Sequence, residues 1–202
     1  RAAQAAVAGV VHELGHAVLD ALRPDLWSNP AIEVSSTHEA FGDCLAILAT
    51  LCHDEVIAHL IAETQGDLRM QNCVCRIAEE MGNAVYHLYP SPGRSPDCLR
   101  TAYNTFEYVD PETLPNRAPD NVLSKSAHSF GRVFTGAFYD ALVFLFDDAI
   151  ADGKSPQEAV AIARDHLGRA LLNGIRTAFL SPKMFQSVAY AMMTAHPPAR
   201  SA

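Results

Sequence analysis

The sequence predicts an all-α protein, a bundle of helices interrupted by one long proline-rich loop at about 89–123. Apolar residues recur at three- and four-residue spacing, the period of a helix face. Proline and glycine mark the ends of those stretches rather than their interiors. Six of the 12 prolines, Pro90, Pro92, Pro96, Pro111, Pro115 and Pro119, crowd into a single segment, where no continuous regular element can persist.

Residues 3–22 are strong helix formers and stop at Arg23-Pro24, where proline closes the helix. A polar loop follows over 23–35, with Pro24, Asn29 and Pro30. Ser36 stands three residues before Glu39, the spacing of a capping box, and is expected to open a second helix. That helix runs to Gln65-Gly66 with a break near His53-Asp54. A third is expected over 68–88, where Met70, Val74, Ile77, Met81 and Val85 share one face. The loop after it is long enough to be a binding element rather than a connector. An apolar helix over 126–151 ends before Gly153. Ser155-Pro156-Gln157-Glu158 supplies an N-cap, a proline at the first helical position and a glutamate at the third. Ser181-Pro182 repeats that start for a last helix ending near His196-Pro197. The whole chain, 1–202, reads as one lobe with three parts at 1–66, 67–123 and 124–202.

Composition narrows the partners. A chain of 202 residues with 49% hydrophobic content can bury a substantial core. The net charge of -8, from 23 acidic against 15 basic residues, argues against a nucleic-acid partner, which requires clustered Lys and Arg. Apolar runs are broken by His, Asp or Gly well short of about 18 residues, so no membrane span is expected. The 5 cysteines, Cys44, Cys52, Cys73, Cys75 and Cys98, cannot all pair within one chain and are expected to be buried free thiols on helices.

The residues that carry chemistry begin at His12-Glu13-Leu14-Gly15-His16, an H-E-x-x-H motif. On a helix, positions four apart differ by about 40° in projection, so both imidazoles aim at one point. Neutral imidazole suits zinc, and the intervening Glu13 can stand beside an activated water. Random placement of the same residues yields about 0.02 such motifs in a chain of this length. Two histidines leave zinc short of a protein ligand. Glu39 follows the polar loop at the start of the second helix, and an antiparallel return brings its carboxylate over the histidine pair. Asp43, one turn on, is placed to accept the outer ring N–H of a ligating histidine.

VVHELGHAVLD followed by THEAFGDCLAIL resembles the thermolysin-like peptidases, gluzincins whose third zinc ligand is the glutamate of a downstream E-x-x-x-D. The resemblance implies the helical lobe of that catalytic unit, one Zn2+ held by His12, His16 and Glu39, Asp43 as the outer partner of His12, and Glu13 as catalytic base. His38 stands where the family usually has Asn. Asp97-Cys98-Leu99-Arg100-Thr101, with Tyr108-Val109-Asp110-Pro111 behind it, is similar to the family's segment with a substrate-binding arginine. By that likeness Arg100 donates to a peptide carbonyl and Leu99 lines an apolar pocket. SAHSFGRVFTGAFYDAL resembles the segment with the second active-site histidine, which makes His128 a donor to the developing oxyanion and Asp120 its orienting carboxylate.

The implied activity is a zinc endopeptidase cutting before an apolar residue, with a peptide or protein as substrate and secretion as the implied location. Two departures shape the expectation. Calcium is not expected, because CLAILATLCHDEVIAHL lacks the family's acidic calcium ligands. The family's β-rich lobe is also missing, since only eleven residues precede His12, so an upstream lobe of the same precursor is an expected partner. The competing expectation is a non-catalytic zinc-containing binding or regulatory domain, or an inactive fragment lacking that lobe.

Overall fold

The computed structural model describes residues 2–195. Seven α-helices account for most of them: α1 (Ala2–Leu22), α2 (Ile32–Thr50), α3 (Asp54–Thr64), α4 (Glu79–Leu88), α5 (Ala127–Ala151), α6 (Pro156–Thr177) and α7 (Met184–Ala195). They pack in sequence, α1 on α2, α2 on α5, α5 on α6 and α6 on α7. The core lies between them, with Leu19, Phe41, Phe130, Tyr139 and Leu171 among its fully buried side chains. No single helix among the described residues is long and apolar enough to cross a membrane.

The element ends follow local chemistry. α1 stops at Arg23-Pro24 as expected, and Arg23 then caps the far end of α6, its Nη1 donating to the Ile175 and Ala178 carbonyls at 2.8 and 2.9 Å. Ser155 and Glu158 form the reciprocal capping box that opens α6. α5 ends before Gly153, whose φ of +79° is left-handed backbone suited to glycine. The break at His53-Asp54 is also present, between α2 and α3. The end near His196-Pro197 lies outside the described residues.

Three expectations are corrected. α2 begins at Ile32, so Ser36 and Glu39 sit inside the helix and form no capping box. α7 begins at Met184, past Ser181-Pro182. The helix expected over 68–88 exists only from Glu79, because Asn72 holds the preceding segment in a turn. Its Oδ1 accepts from the Val74 and Cys75 amides at 3.0 and 3.1 Å, and its Nδ2 donates to the buried Tyr139 hydroxyl at 2.6 Å. An asparagine bonded to amides two and three residues on competes directly with a helix. The freed segment forms a short strand, β1 (Arg76–Ile77), antiparallel to β2 (Arg100–Thr101) in the proline-rich loop. Ile77 pairs with Arg100. The all-α reading holds, with this two-residue ribbon as its one sheet among the described residues.

The five thiols are free. Cys44 is buried on α2, but Cys52 is exposed in the turn after it, and Cys73, Cys75 and Cys98 are buried in the loop segments rather than on helices.

Candidate metal centre

The site rests on a close helix crossing. A Cβ added to Gly15 would stand 2.8 Å from the Gly42 Cα, and one added to Gly42 would stand 2.7 Å from His12 Nδ1 and 2.9 Å from its carbonyl. Only two glycines facing each other let the α1 and α2 backbones meet there. That contact sets His12 and His16 of α1 beside Glu39 and Asp43 of α2. Gly42→Ala is therefore expected to push the helices apart and cost about 1–3 kcal/mol, the usual penalty of overpacking. Urea unfolding would read this, and an unchanged midpoint would contradict it.

His12, His16 and Glu39 each present a ligand atom within 4.8 Å of the others. Glu39 Oε2 lies 3.4 Å from His12 Nε2, and Glu39 Oε1 lies 4.0 Å from His16 Nε2. The two imidazoles stand nearly perpendicular, 86° apart, with centroids at 4.9 Å. Ligands at about 2.0–2.2 Å from a shared tetrahedral zinc stand about 3.4 Å apart, so only small adjustments close the triangle. Glu39 Oε2 also lies 3.0 Å from His128 Nε2. It is nonetheless buried and accepts no properly directed hydrogen bond. A buried carboxylate oxygen that faces imidazoles without a well-directed hydrogen bond is suited to a cation. The donor set, two imidazoles and one carboxylate, suits zinc.

Behind this triangle stands a buried pair. His12 Nδ1 lies 2.9 Å from Asp43 Oδ1, at hydrogen-bond length though off the ideal direction. Arg100 from β2 donates to the same carboxylate twice, Nε to Oδ2 at 3.1 Å and Nη2 to Oδ1 at 2.7 Å. Nη1 of Arg100 has no acceptor among the described residues, leaving its two N–H groups for another ligand. Burial opposes the ionised form of Asp43, but Arg100 and His12 outweigh it and hold its carboxyl below its ordinary value. Glu39 is likewise lowered, His12, His128 and His16 overcoming its burial.

The remaining expected residues are spread around this centre. Glu13 is exposed on α1 between the two histidines. His128, in the first turn of α5, faces Glu39. Leu99 is half-buried and its amide donates to the Ile77 and Ala78 carbonyls at 3.0 and 3.3 Å. Asp120 departs from expectation. Its carboxylate is held by Arg94, and its carbonyl accepts from Arg132, so no bond joins it to His128. Eight residues separate the two, and Arg94 is the nearer claimant.

Sequence reasoning missed the outer flank of His16. The His38 ring stacks near His16 with centroids 6.1 Å apart, and its Nδ1 lies 3.8 Å from Asp20 Oδ1. Asp20 lies one helical turn beyond His16 and eight residues beyond His12, a regular four-residue repeat that could have drawn attention to it.

Without an ion, burial would lower the His12 pKa, yet Asp43 and Glu39 raise it from 6.5 to about 9. A raised folded-state value stabilises the protein fully below pH 6.5, and that contribution is lost as pH rises through about 9. The metal-free protein should accordingly melt lower at the alkaline end of that window. Ion binding at pH 7 should also release a proton from His12. Calorimetric titration in buffers of unequal ionisation enthalpy measures the release, and buffer-independent heats would contradict it.

No protein-family model, curated protein or solved structure matches the chain.

Proposed function

We propose that this chain is the zinc-binding, proton-transferring lobe of a thermolysin-like metallopeptidase, cutting peptide bonds before an apolar residue. The observation that carries the reading is the convergence of ligand atoms of His12, His16 and Glu39 within 4.8 Å of one another, with Glu39 Oε2 buried and receiving no well-directed hydrogen bond. Asp43 behind His12 gives that triangle the outer carboxylate that ligating histidines use.

A zinc ion held by these three residues supplies Lewis acidity that makes water a nucleophile near neutral pH. Glu13 takes a proton from the attacking water at its carboxylate and delivers it to the departing amine. His128 donates from Nε2 to the carbonyl oxygen as negative charge develops there. Arg100 keeps Asp43 ionised with two donors and offers Nη1 to a substrate carbonyl. Leu99, its neighbour in the chain, contributes apolar surface for the residue after the cut. An upstream β-rich lobe would complete the substrate cleft.

The engagement of Arg100 Nε and Nη2 by Asp43 favours a second reading, a zinc-containing domain that recognises a partner without hydrolysing it. Metal analysis and peptide hydrolysis of the chain beside His16→Ala separate the possibilities. The proposal expects the variant to hold one equivalent of zinc less and to lose hydrolysis. Zinc lost with no hydrolysis in either protein supports the second reading, and identical zinc content in the two proteins refutes both.

A further inference from the structure

A second group of metal-ligand types lies on other elements. His59 and Glu63 are one turn apart on α3, so their side chains share a face. Cys73 comes to that face from the turn made by Asn72. One ligand atom from each of His59, Glu63 and Cys73 falls within 4.8 Å of the others. The Cys73 amide donates to Glu63 Oε2 at 2.7 Å, which fixes the cysteine against the helix. Arg76 donates to Glu63 Oε1 and to Glu79 Oε1. A carboxylate has about four lone-pair positions, so these bonds still leave Glu63 room for a cation.

Two further features suit an ion. Half-buried His59 makes no hydrogen bond or ion pair with another described residue, so its imidazole is free to serve as a ligand. The local charges also balance around a divalent ion. Once an ion displaces the Cys73 thiol proton, the thiolate, Glu63 and Glu79 are offset by Arg76 and two positive charges. Thiolate, imidazole and carboxylate together are a zinc-type donor set and do not suit calcium or magnesium, which take oxygen.

We propose that His59, Glu63 and Cys73 form a second divalent-cation site of the zinc class, which ties the segment leading into β1 to α3. Through the pairing of Ile77 with Arg100, β1 holds the strand that delivers Arg100 to Asp43. The ion would thus brace the ribbon that supports the first centre. This inference does not depend on the peptidase reading.

Cobalt(II) loading tests it directly, because only this site contains sulfur. The loaded protein is expected to show a near-ultraviolet sulfur-to-cobalt charge-transfer band. Cys73→Ser should abolish the band and Cys52→Ser should leave it intact. His59→Ala, at a half-buried position that is easier to vary without unfolding, should weaken the cobalt affinity that the band reports. Losing a ligand should cost at least the roughly 10- to 100-fold typical of outer-shell partners. Absence of the band from the wild-type protein, or a band that follows Cys52 instead of Cys73, overturns the proposal. Because His12, His16 and Glu39 lack sulfur, failure of the first centre would leave this band unchanged, so the two failures are distinguishable.

Discussion

Replacing Glu13 with Gln is expected to leave zinc in place and to reduce peptide hydrolysis by about 10²- to 10⁴-fold, the usual contribution of a positioned general base. The ligand atoms belong to His12, His16 and Glu39, so Glu13 can be changed without touching the metal triangle. The substitution is isosteric and exposed, which keeps its effect on folding small. An amide keeps the size and shape of the side chain but is neutral and lacks the basic oxygen that accepts a proton from water. The deficit should therefore lie in kcat, with KM nearly unchanged, because the loss occurs in the transition state. His16→Ala makes the informative contrast, since it should lose metal as well as rate. If Glu13→Gln hydrolyses peptides at the wild-type rate, Glu13 is not the base and the assigned mechanism fails.

The parts of this site that were legible in the sequence are those held by local geometry. His12 and His16 are one turn apart on a single helix, so their convergence follows from helix periodicity alone. Glu39 and Asp43 are also one turn apart, and only the crossing of α1 on α2 had to be supplied. The Gly15–Gly42 contact that permits this crossing is written in HELGH and EAFGD, but a glycine in a helix has many meanings until its neighbour across the interface is known. The start of α2 was misplaced because a capping-box spacing can occur by coincidence inside a helix. Similarly, the three- and four-residue spacing across 68–88 was real, but Asn72 withdrew the segment from the helix through bonds to its own backbone and to Tyr139, 67 positions away. The partner of Asp120 could not be chosen from the sequence either. Arg94 and His128 both lay within reach along the loop, and the fold gave the carboxylate to Arg94.

The Asp43–Arg100 pair joins the ribbon to the metal triangle, and its removal should have the largest effect on stability. The Asp43 side chain is only 3% exposed and that of Arg100 10%. Taking one partner from a buried pair strands the other charge away from water, which typically costs about 3–5 kcal/mol. Asp43→Ala and Arg100→Ala should each destabilise the metal-free protein on that scale. The double variant should lose clearly less than the two costs added together, because it leaves no stranded charge. Asp43→Ala should further weaken zinc binding by about 10- to 100-fold, since His12 loses the carboxylate that fixes its ring. These effects separate two duties of Arg100. If its task were only to hold a substrate carbonyl, Arg100→Ala would raise KM and leave the unfolding midpoint where it was. If it also sustains Asp43, the midpoint falls in the absence of substrate and the coupling appears in denaturant titrations of all four proteins. Costs that simply add would mean the two side chains do not act as a unit, and the ribbon would no longer count as part of the metal centre's support.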